Sequence, residues 1–317
     1  MNRNVVYALL AAALFGASTP LAKLLAGDVA PVLLAGLLYL GSGLGLSLLR
    51  WVRDGGFKRS EMPAAQWPWL LGAVFFGGVL GPVALMFALT LTSGASAALL
   101  LNLEAVLTAV LAWMVFRENA GRRIVLGMAA IVAGGFVLAW SNQGATLSDW
   151  HGPALVALAC LCWAIDNNLT RQVSASDALF IAAFKGMVAG AMNTVLALGL
   201  GAQMPHLSTL LATLLLGLLG YGISLVLFVL ALRGLGTART GAYFSTAPFL
   251  GAAVAVKLLG ESVSFSFWLA AALMGLGVWL HTTERHAHEH THEDPLTHEL
   301  LSHSHAHYPD VDHRHPH

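Results

Sequence analysis

Residues 94–119 read GASAALLLNLEAVLTAVLAWMVFREN, and residues 237–262 read TARTGAYFSTAPFLGAAVAVKLLGES. A shift of 143 residues lays one stretch on the other without gaps and puts Glu118 on Glu261. The same shift puts Gly134 on Gly277 and Gly77 on Gly220. A slightly larger shift lays Thr19-Pro-Leu-Ala-Lys23 on Asn167-Asn-Leu-Thr-Arg171. Identity is sparse, and apolar segments align cheaply. The surrounding sequence gives the match its weight.

That surrounding sequence is membrane sequence. The chain has 317 residues, of which 57% are hydrophobic and 10% charged, against about 25% charged in soluble domains. Its 33 glycines suit helices that pack closely in lipid. A spanning helix needs roughly 20 mostly apolar residues. Ten stretches qualify: 5–25, 31–50, 68–90, 93–116, 121–140, 152–171, 178–200, 209–232, 237–258 and 264–282. Only the connection RWVRDGGFKRSEMPAAQW, after the second span, is long and hydrophilic. The first apolar stretch has no convincing cleavage site and reads as a retained helix. Cys160 and Cys162 are two apart on one helix, so they point to different sides and read as packing residues.

Lys and Arg set the orientation. With the N-terminus inside, the inner ends and loops hold Arg3, Arg50, Arg53, Lys58, Arg59, Arg117, Arg122, Arg123, Arg171, Arg233, Arg239 and Arg285. Only Lys23 and Lys257 lie outside, near span ends. Both termini are therefore expected in the cytoplasm. Five spans per half is an odd number, so the second half must enter the membrane upside down. The expected fold is all-α integral membrane, with ten transmembrane helices in two inverted five-helix repeats and a disordered C-terminal tail. The expected divisions are 1–145, 146–283 and a tail of 284–317. Inverted repeats place transporter sites near the midplane between halves.

The five-plus-five pattern resembles the drug/metabolite transporter superfamily, specifically its EamA-type members. The marks are ALFGASTPLAK ending at Lys23, a fourth span running into FRE at Glu118, and TAPFLGAAVAVKLLGE with Pro248 and Glu261. The likeness covers about residues 1–283. It implies alternating-access transport of small solutes, often export of metabolites or amino acids, and a bacterial inner membrane. This chain departs from the family at Asn102-Leu-Glu-Ala105, where a proline is common. Pro248 aligns with Ala105, beside Glu104.

Ionisable groups at membrane depth cost about 2.5–3.5 kcal/mol on the insertion scale. Glu104 lies halfway along the fourth span, and its side chain is too short to snorkel. It reads as a proton- or cation-binding carboxylate; the bland alternative is a protonated Glu bonded between helices. Asp166 is about 7 Å inward from Arg171, and Lys185 about 10 Å from the start of its span. Matching depths predict a buried pair, either structural or gating. Asn167 adjoins Asp166. Asn102 and Asn193 add amides, with Asn193 the better second pocket residue; only an unwound turn would let Asn102 join Glu104 at one ligand. Tyr243, Thr246 and Pro248 sit at matching depth in the ninth span, where proline can free a carbonyl. Lys23 and Arg171 are the gating candidates. Trp67, Trp69, Trp140, Trp150 and Trp268 fit the aromatic belt.

The tail carries His286, His288, His290, His292, His298, His303, His305, His307, His313, His315 and His317. Neutral imidazole suits Zn, Ni and Co. Interchangeable H-x-H ligands favour a loose multi-ion buffer over one closed site; a solvated or pH-responsive tail is the bland alternative. No other cofactor is required. Three functions stand at this point. One is a small-solute transporter, an exporter of a metabolite or amino-acid-like compound. The second is a Ni, Co or Zn transporter fed or regulated by the tail. The third is a non-transporting membrane metal store or sensor. Absence of a Walker loop or HExxH argues against an enzyme, with no catalytic residue named. The expected partners are membrane lipid and a small-molecule or metal-ion substrate, not nucleic acid, and a homodimer is left open.

Overall fold

The computed structural model describes residues 3–56, 60, 62–116, 122–141, 150–173, 176–235, 240, 243–283, 286–293 and 300–307. Its membrane part is all-helical. The first two spans are α1 (Arg3–Leu25) and α2 (Pro31–Asp54). The third span is compound: α3 (Trp67–Ala73) runs through a π-helical turn, Val74–Leu80, into α4 (Gly81–Leu91). The fourth is broken into α5 (Gly94–Leu100) and α6 (Leu103–Phe116). Next come α7 (Arg122–Ser141), α8 (His151–Arg171) and α9 (Ala178–Gly199). The eighth span repeats the third: α10 (Leu207–Gly217), a π-turn at Leu218–Ile223, then α11 (Ser224–Leu235). The last helices are α12 (Ala247–Leu258) and α13 (Phe265–Thr282).

Eight of these segments are long and apolar enough to cross a membrane. The apolar helices Ala247–Leu258 and Phe265–Leu280 are shorter and fall where the ninth and tenth spans are expected. Exposed Trp69, Trp140 and Trp268 sit near segment ends, as an aromatic belt requires.

The packing exchanges partners between the halves. α1 lies on α11 and α12, while α8, its counterpart, lies on α4 and α6. α2 pairs with α9, and α7 with α13. A two-fold relation between halves demands this pattern. Glycine permits the close crossings: a Cβ on Gly16 of α1 would overlap the Ala247 carbonyl, and one on Gly251 would press on Gly16 oxygen. The main buried core joins both halves, with Leu33, Leu34, Leu85 and Leu99 from the first and Val156, Trp163, Ala252 and Met274 from the second.

In the tail, His286–Glu293 (β1) and Leu300–His307 (β2) pair as an antiparallel ladder. The physical reason is the period-two alternation of H-x-H, which is a strand pattern. His298, His313, His315 and His317 lie outside the described residues, as does Glu118.

Candidate functional site

The fourth span breaks at Leu101-Asn102. There the α-helical ladder gives way to tighter bonds, Asn102 N to Leu99 O at 3.1 Å and Glu104 N to Leu101 O at 3.1 Å. The Asn102 amide folds back on Leu99 O at 2.8 Å, and the Cys160 thiol stands 3.7 Å from Leu100 O. Both groups occupy carbonyls that a continuous helix would have used. The segment leading into α12 turns at the equivalent place: Thr246 N bonds Tyr243 O at 3.2 Å, and Thr246 Oγ1 donates to the same oxygen at 2.6 Å. Pro248 then sits in the first turn of α12, where its missing N–H costs nothing. Each half thus carries one broken helix, and α6 starts with Glu104 in its first turn, where the helix dipole favours a negative charge.

Glu104 is half-buried. Its Oε1 accepts from Asn167 Nδ2 at 2.8 Å, and that amide also stands 3.4 Å from Thr108 Oγ1. Asn168 beside it donates to Ala164 O at 2.8 Å and contacts Thr108 O. Asn102 is buried on the other side of the turn, so the break does not bring it to Glu104.

One residue before Asn167, Asp166 meets Lys185. The Lys185 Nζ stands 2.5 and 2.7 Å from the two carboxylate oxygens, and Thr170 Oγ1 donates to Oδ1 at 2.8 Å. The pair presses on the first π-turn. A Cβ on Gly77 would collide with the Asp166 carboxylate. The Gly77 carbonyl, freed by the widened turn, accepts from Tyr39 OH at 2.7 Å and Trp163 Nε1 at 3.0 Å. Gly78 O accepts from Asn193 Nδ2 at 3.1 Å. Asn193 is fully buried, and its Oδ1 has no partner among the described residues. It belongs to the helix interface around the π-turn.

The second π-turn repeats this arrangement without the charges. A Cβ on Gly220 would press on Ser18, and Ser18 is the α1 position that aligns with Asp166. The two turns meet through Tyr39 and Tyr221, whose ring centroids are 5.6 Å apart. Phe15 joins Tyr221 and Phe244, and Phe228 meets Phe244 edge-on with ring centroids 4.8 Å apart.

At the Lys23 end the halves are tied together. Lys23 Nζ donates to Leu89 O and to Thr92 O, the carbonyls ending α4. Glu261 accepts from Gly94 N and Ala95 N, both at 2.8 Å, capping α5 from the other half. Residues 94–100 are all buried, whereas residues 107–111 and 167–170 are half-buried or exposed. The side chain of Arg171 lies outside the described residues. Nearer that end, Arg53 Nη2 bonds Asp177 Oδ2 at 2.6 Å, tying α2 to the start of α9. This guanidinium bond holds the Asp177 carboxyl below its ordinary range.

Sequence reasoning placed Glu104, Asp166, Asn167 and Lys185 in the region where they stand. It put Thr108 on the helical face of Glu104 and Trp163 on that of Asp166 without assigning either to the site; it missed Tyr39 and the π-turn carbonyls, and it used Glu261 only as a repeat marker. The Gly77/Gly220 match was the available signal for the π-turns. Tyr243, Thr246 and Pro248 form the second break; the hydrogen bonds described for them are local to it.

Broken spans, paired π-turns and a polar cluster between two like halves define a membrane transporter. The chain belongs to the EamA-like transporter family, whose profile matches residues 2–140 and 150–283. It is 26% identical over 282 residues to an uncharacterized transporter of Methanothermobacter thermautotrophicus, covering 84% of this chain and 82% of that one. It is 28% identical over 199 residues to the uncharacterized transporter YyaM of Bacillus subtilis, covering 61% and 64%. A solved crystal structure with 20% identity has the same fold, with a TM-score of 0.66 over 88% of this chain and 98% of the other.

Proposed function

We propose that the protein is a secondary-active exporter of a small metabolite with an amino-acid-like ammonium group, working by alternating access. It would sit in a bacterial inner membrane with ten spans and both termini in the cytoplasm. The observation that carries this reading is the Glu104–Asn167 bond at the broken fourth span. Asp166 is already neutralised by Lys185, whereas the described partners of Glu104 are uncharged. An ionised Glu104 would seek a cation from outside the protein, either a substrate ammonium or a coupling proton. Asn167 and Thr108 supply the polar groups that orient it, and the aromatic cluster at Phe15, Tyr221 and Phe244 supplies an apolar wall. Asn193, Tyr243, Thr246 and Pro248 shape the pathway indirectly, through the π-turn and the second break.

Burial of residues 94–100 against opening around Asn167 supports an inward-facing state. Lys23 and Glu261 then act as the closed outer gate, and Arg171 as the residue at the opposite mouth. A divalent metal as cargo is the second reading, favoured by the tail histidines. Among the described residues no group of three His, Cys, Asp or Glu stands together, which ranks it second.

The test is counterflow of radiolabelled amino acids and amines into proteoliposomes, with wild type and Glu104→Gln reconstituted at equal density. Uptake of a cationic or zwitterionic solute by wild type, lost in Glu104→Gln, supports the proposal. Uptake that Glu104→Gln leaves unchanged refutes the role of the carboxylate. Metal uptake alone, measured in the same vesicles, moves the second reading to first.

A further inference from the structure

α2 and α9 cross too closely at one level to admit anything between them. A Cβ on Gly43 would overlap Met187 N, and one on Gly186 would overlap Gly43 N. Toward the Asp54 end of α2, a groove of about 160 Å³ opens beside this seam. α2 supplies Ser47, Arg50 and Trp51 to its walls, and α9 supplies Phe180, Phe184 and Met187. Residues four apart share a helix face, and both stripes lead onto exposed apolar surface: Leu44 and Leu48 on α2, Ala191 and Val195 on α9. Tyr39, on a different flank of α2, reaches inward to the first π-turn. The groove therefore opens toward lipid, away from the Glu104 cluster.

Only one end of the groove is polar. The Arg50 guanidinium sits 5.0 Å from the centre of the Phe180 ring, and its Nε stands 3.5 Å from Asp54 and 3.6 Å from Asp177. The short bonds of those carboxylates go to Arg53, at 2.7 and 2.6 Å. Two cations and two anions thus stand together at the head of the groove. From there the lining turns aromatic and aliphatic as far as Met187, about 14 Å from the start of α9. Sites for drug-sized ligands run to about 300–1,000 Å³. This groove is too small for one, but it opens sideways and suits part of a chain.

We propose that the groove binds a phospholipid whose headgroup carries a primary ammonium. One acyl chain lies along Phe184 and Met187, the phosphate meets Arg50, and the ammonium turns toward Asp54 and Asp177. Guanidinium matches phosphate in geometry and charge, and basic pockets between spans at the membrane surface hold lipid headgroups. The carboxylates make the headgroup specific. An ammonium donates hydrogen bonds to them; a choline has none to donate, and a glycerol headgroup brings no cation. Exposed Trp51 stands at the depth where tryptophan anchors to the interface. A lipid seated here braces α9 one residue from Lys185. The site depends neither on the transported solute nor on which way the protein faces.

The test titrates delipidated full-length protein in detergent with phosphatidylethanolamine, phosphatidylcholine and phosphatidylglycerol of identical chains. Native mass spectrometry counts the bound lipid. A hydrogen bond to a charged group is worth roughly tenfold or more in affinity, so the first phosphatidylethanolamine should bind roughly tenfold tighter than either competitor. Arg50→Gln should lose that advantage. Ser47→Phe should lose it too; it keeps all four charges and fills the groove with a ring, so it decides the matter even where Arg50→Gln weakens the fold. Leu44→Phe, one turn along the lipid-facing surface, should keep it. Equal affinity for the three lipids in wild type overturns the proposal, as does tighter binding of phosphatidylglycerol. So does a preference that survives Ser47→Phe, or one that Leu44→Phe removes equally. Displacement of the lipid by an equal concentration of chain-free glycerophosphoethanolamine also overturns it, by making the site one for a soluble phosphate.

Discussion

Asp166 and Lys185 provide the most exacting test of the central packing. Their side chains are only 10% and 16% exposed, so neither charge has much water to fall back on. Removing one partner of a buried pair costs about 3–5 kcal/mol, because the survivor is stranded. The lower end applies here. Thr170 still bonds Asp166 when lysine is lost, and the lysine stem can extend toward the membrane surface when aspartate is lost. Asp166→Asn and Lys185→Met should each cost about 3 kcal/mol. The double variant strands nothing and nearly conserves volume, so it should cost about 1 kcal/mol. The coupling should therefore be about 5 kcal/mol, against near zero for two independent sites. Equilibrium unfolding in mixed micelles across the four proteins measures it. If the double variant equals the sum of the singles to within about 0.5 kcal/mol, the pair is not energetically joined and the reasoning fails. Transport adds a second dimension. A pair that only holds helices together predicts recovery of both stability and flux in the double variant; a gating pair predicts recovery of stability alone.

Gly77→Ala forces a methyl into the Asp166 carboxylate and should destabilise by about 1–3 kcal/mol in the same unfolding assay. Gly72→Ala, which meets only the flexible end of Leu169 at 3.1 Å, is its mild control. Glu261→Gln weakens the α5 cap by about 1 kcal/mol and should raise labelling, by an external impermeant thiol reagent, of a cysteine placed at Ala97; unchanged labelling removes Glu261 from the gate. Asp177→Asn tests the tie between α2 and α9. A carboxyl held below its ordinary 3.8 stabilises the fold above that value and stops doing so as pH falls through the lower folded value. The variant should therefore be less stable than wild type at pH 7, with the gap closing toward acid. A gap that widens toward acid contradicts the sign.

The helices were legible because each is an uninterrupted apolar run, and nothing but a membrane span accommodates such a run of that length. The breaks were harder to see. Leu101-Asn102 contains no glycine or proline, and its bend is held by Asn102 and Cys160 taking carbonyls that no local pattern announces. Asp166–Lys185 was readable because depth along a helix converts directly to distance, and two lone charges at one depth must meet. Glu104–Asn167 was readable residue by residue but not as a bond, since it depends on how α6 crosses α8. The π-turns escaped because an extra residue in a helix leaves hydrophobic periodicity almost intact. Only a glycine recurring at the same place in both halves marked them.

That recurrence carries a mechanistic consequence. Both halves keep the π-turn, the broken span and the glycine beneath it, yet one places Asp166 over Gly77 and the other Ser18 over Gly220. The backbone device is shared while the charge is not. A rearrangement that exchanges the roles of the halves must therefore reseat a charged pair on one side and a hydroxyl on the other. The two end states cannot be equal in energy, even though the backbone treats them alike. Replacing Asp166 with the serine of its counterpart, and Lys185 with a neutral methionine, should move the equilibrium between inward- and outward-open forms. Distance measurements between spin labels at both mouths of D166S/K185M and of wild type read that shift. Identical distance distributions would show that the asymmetry is chemically silent, and that the charges serve the packing alone.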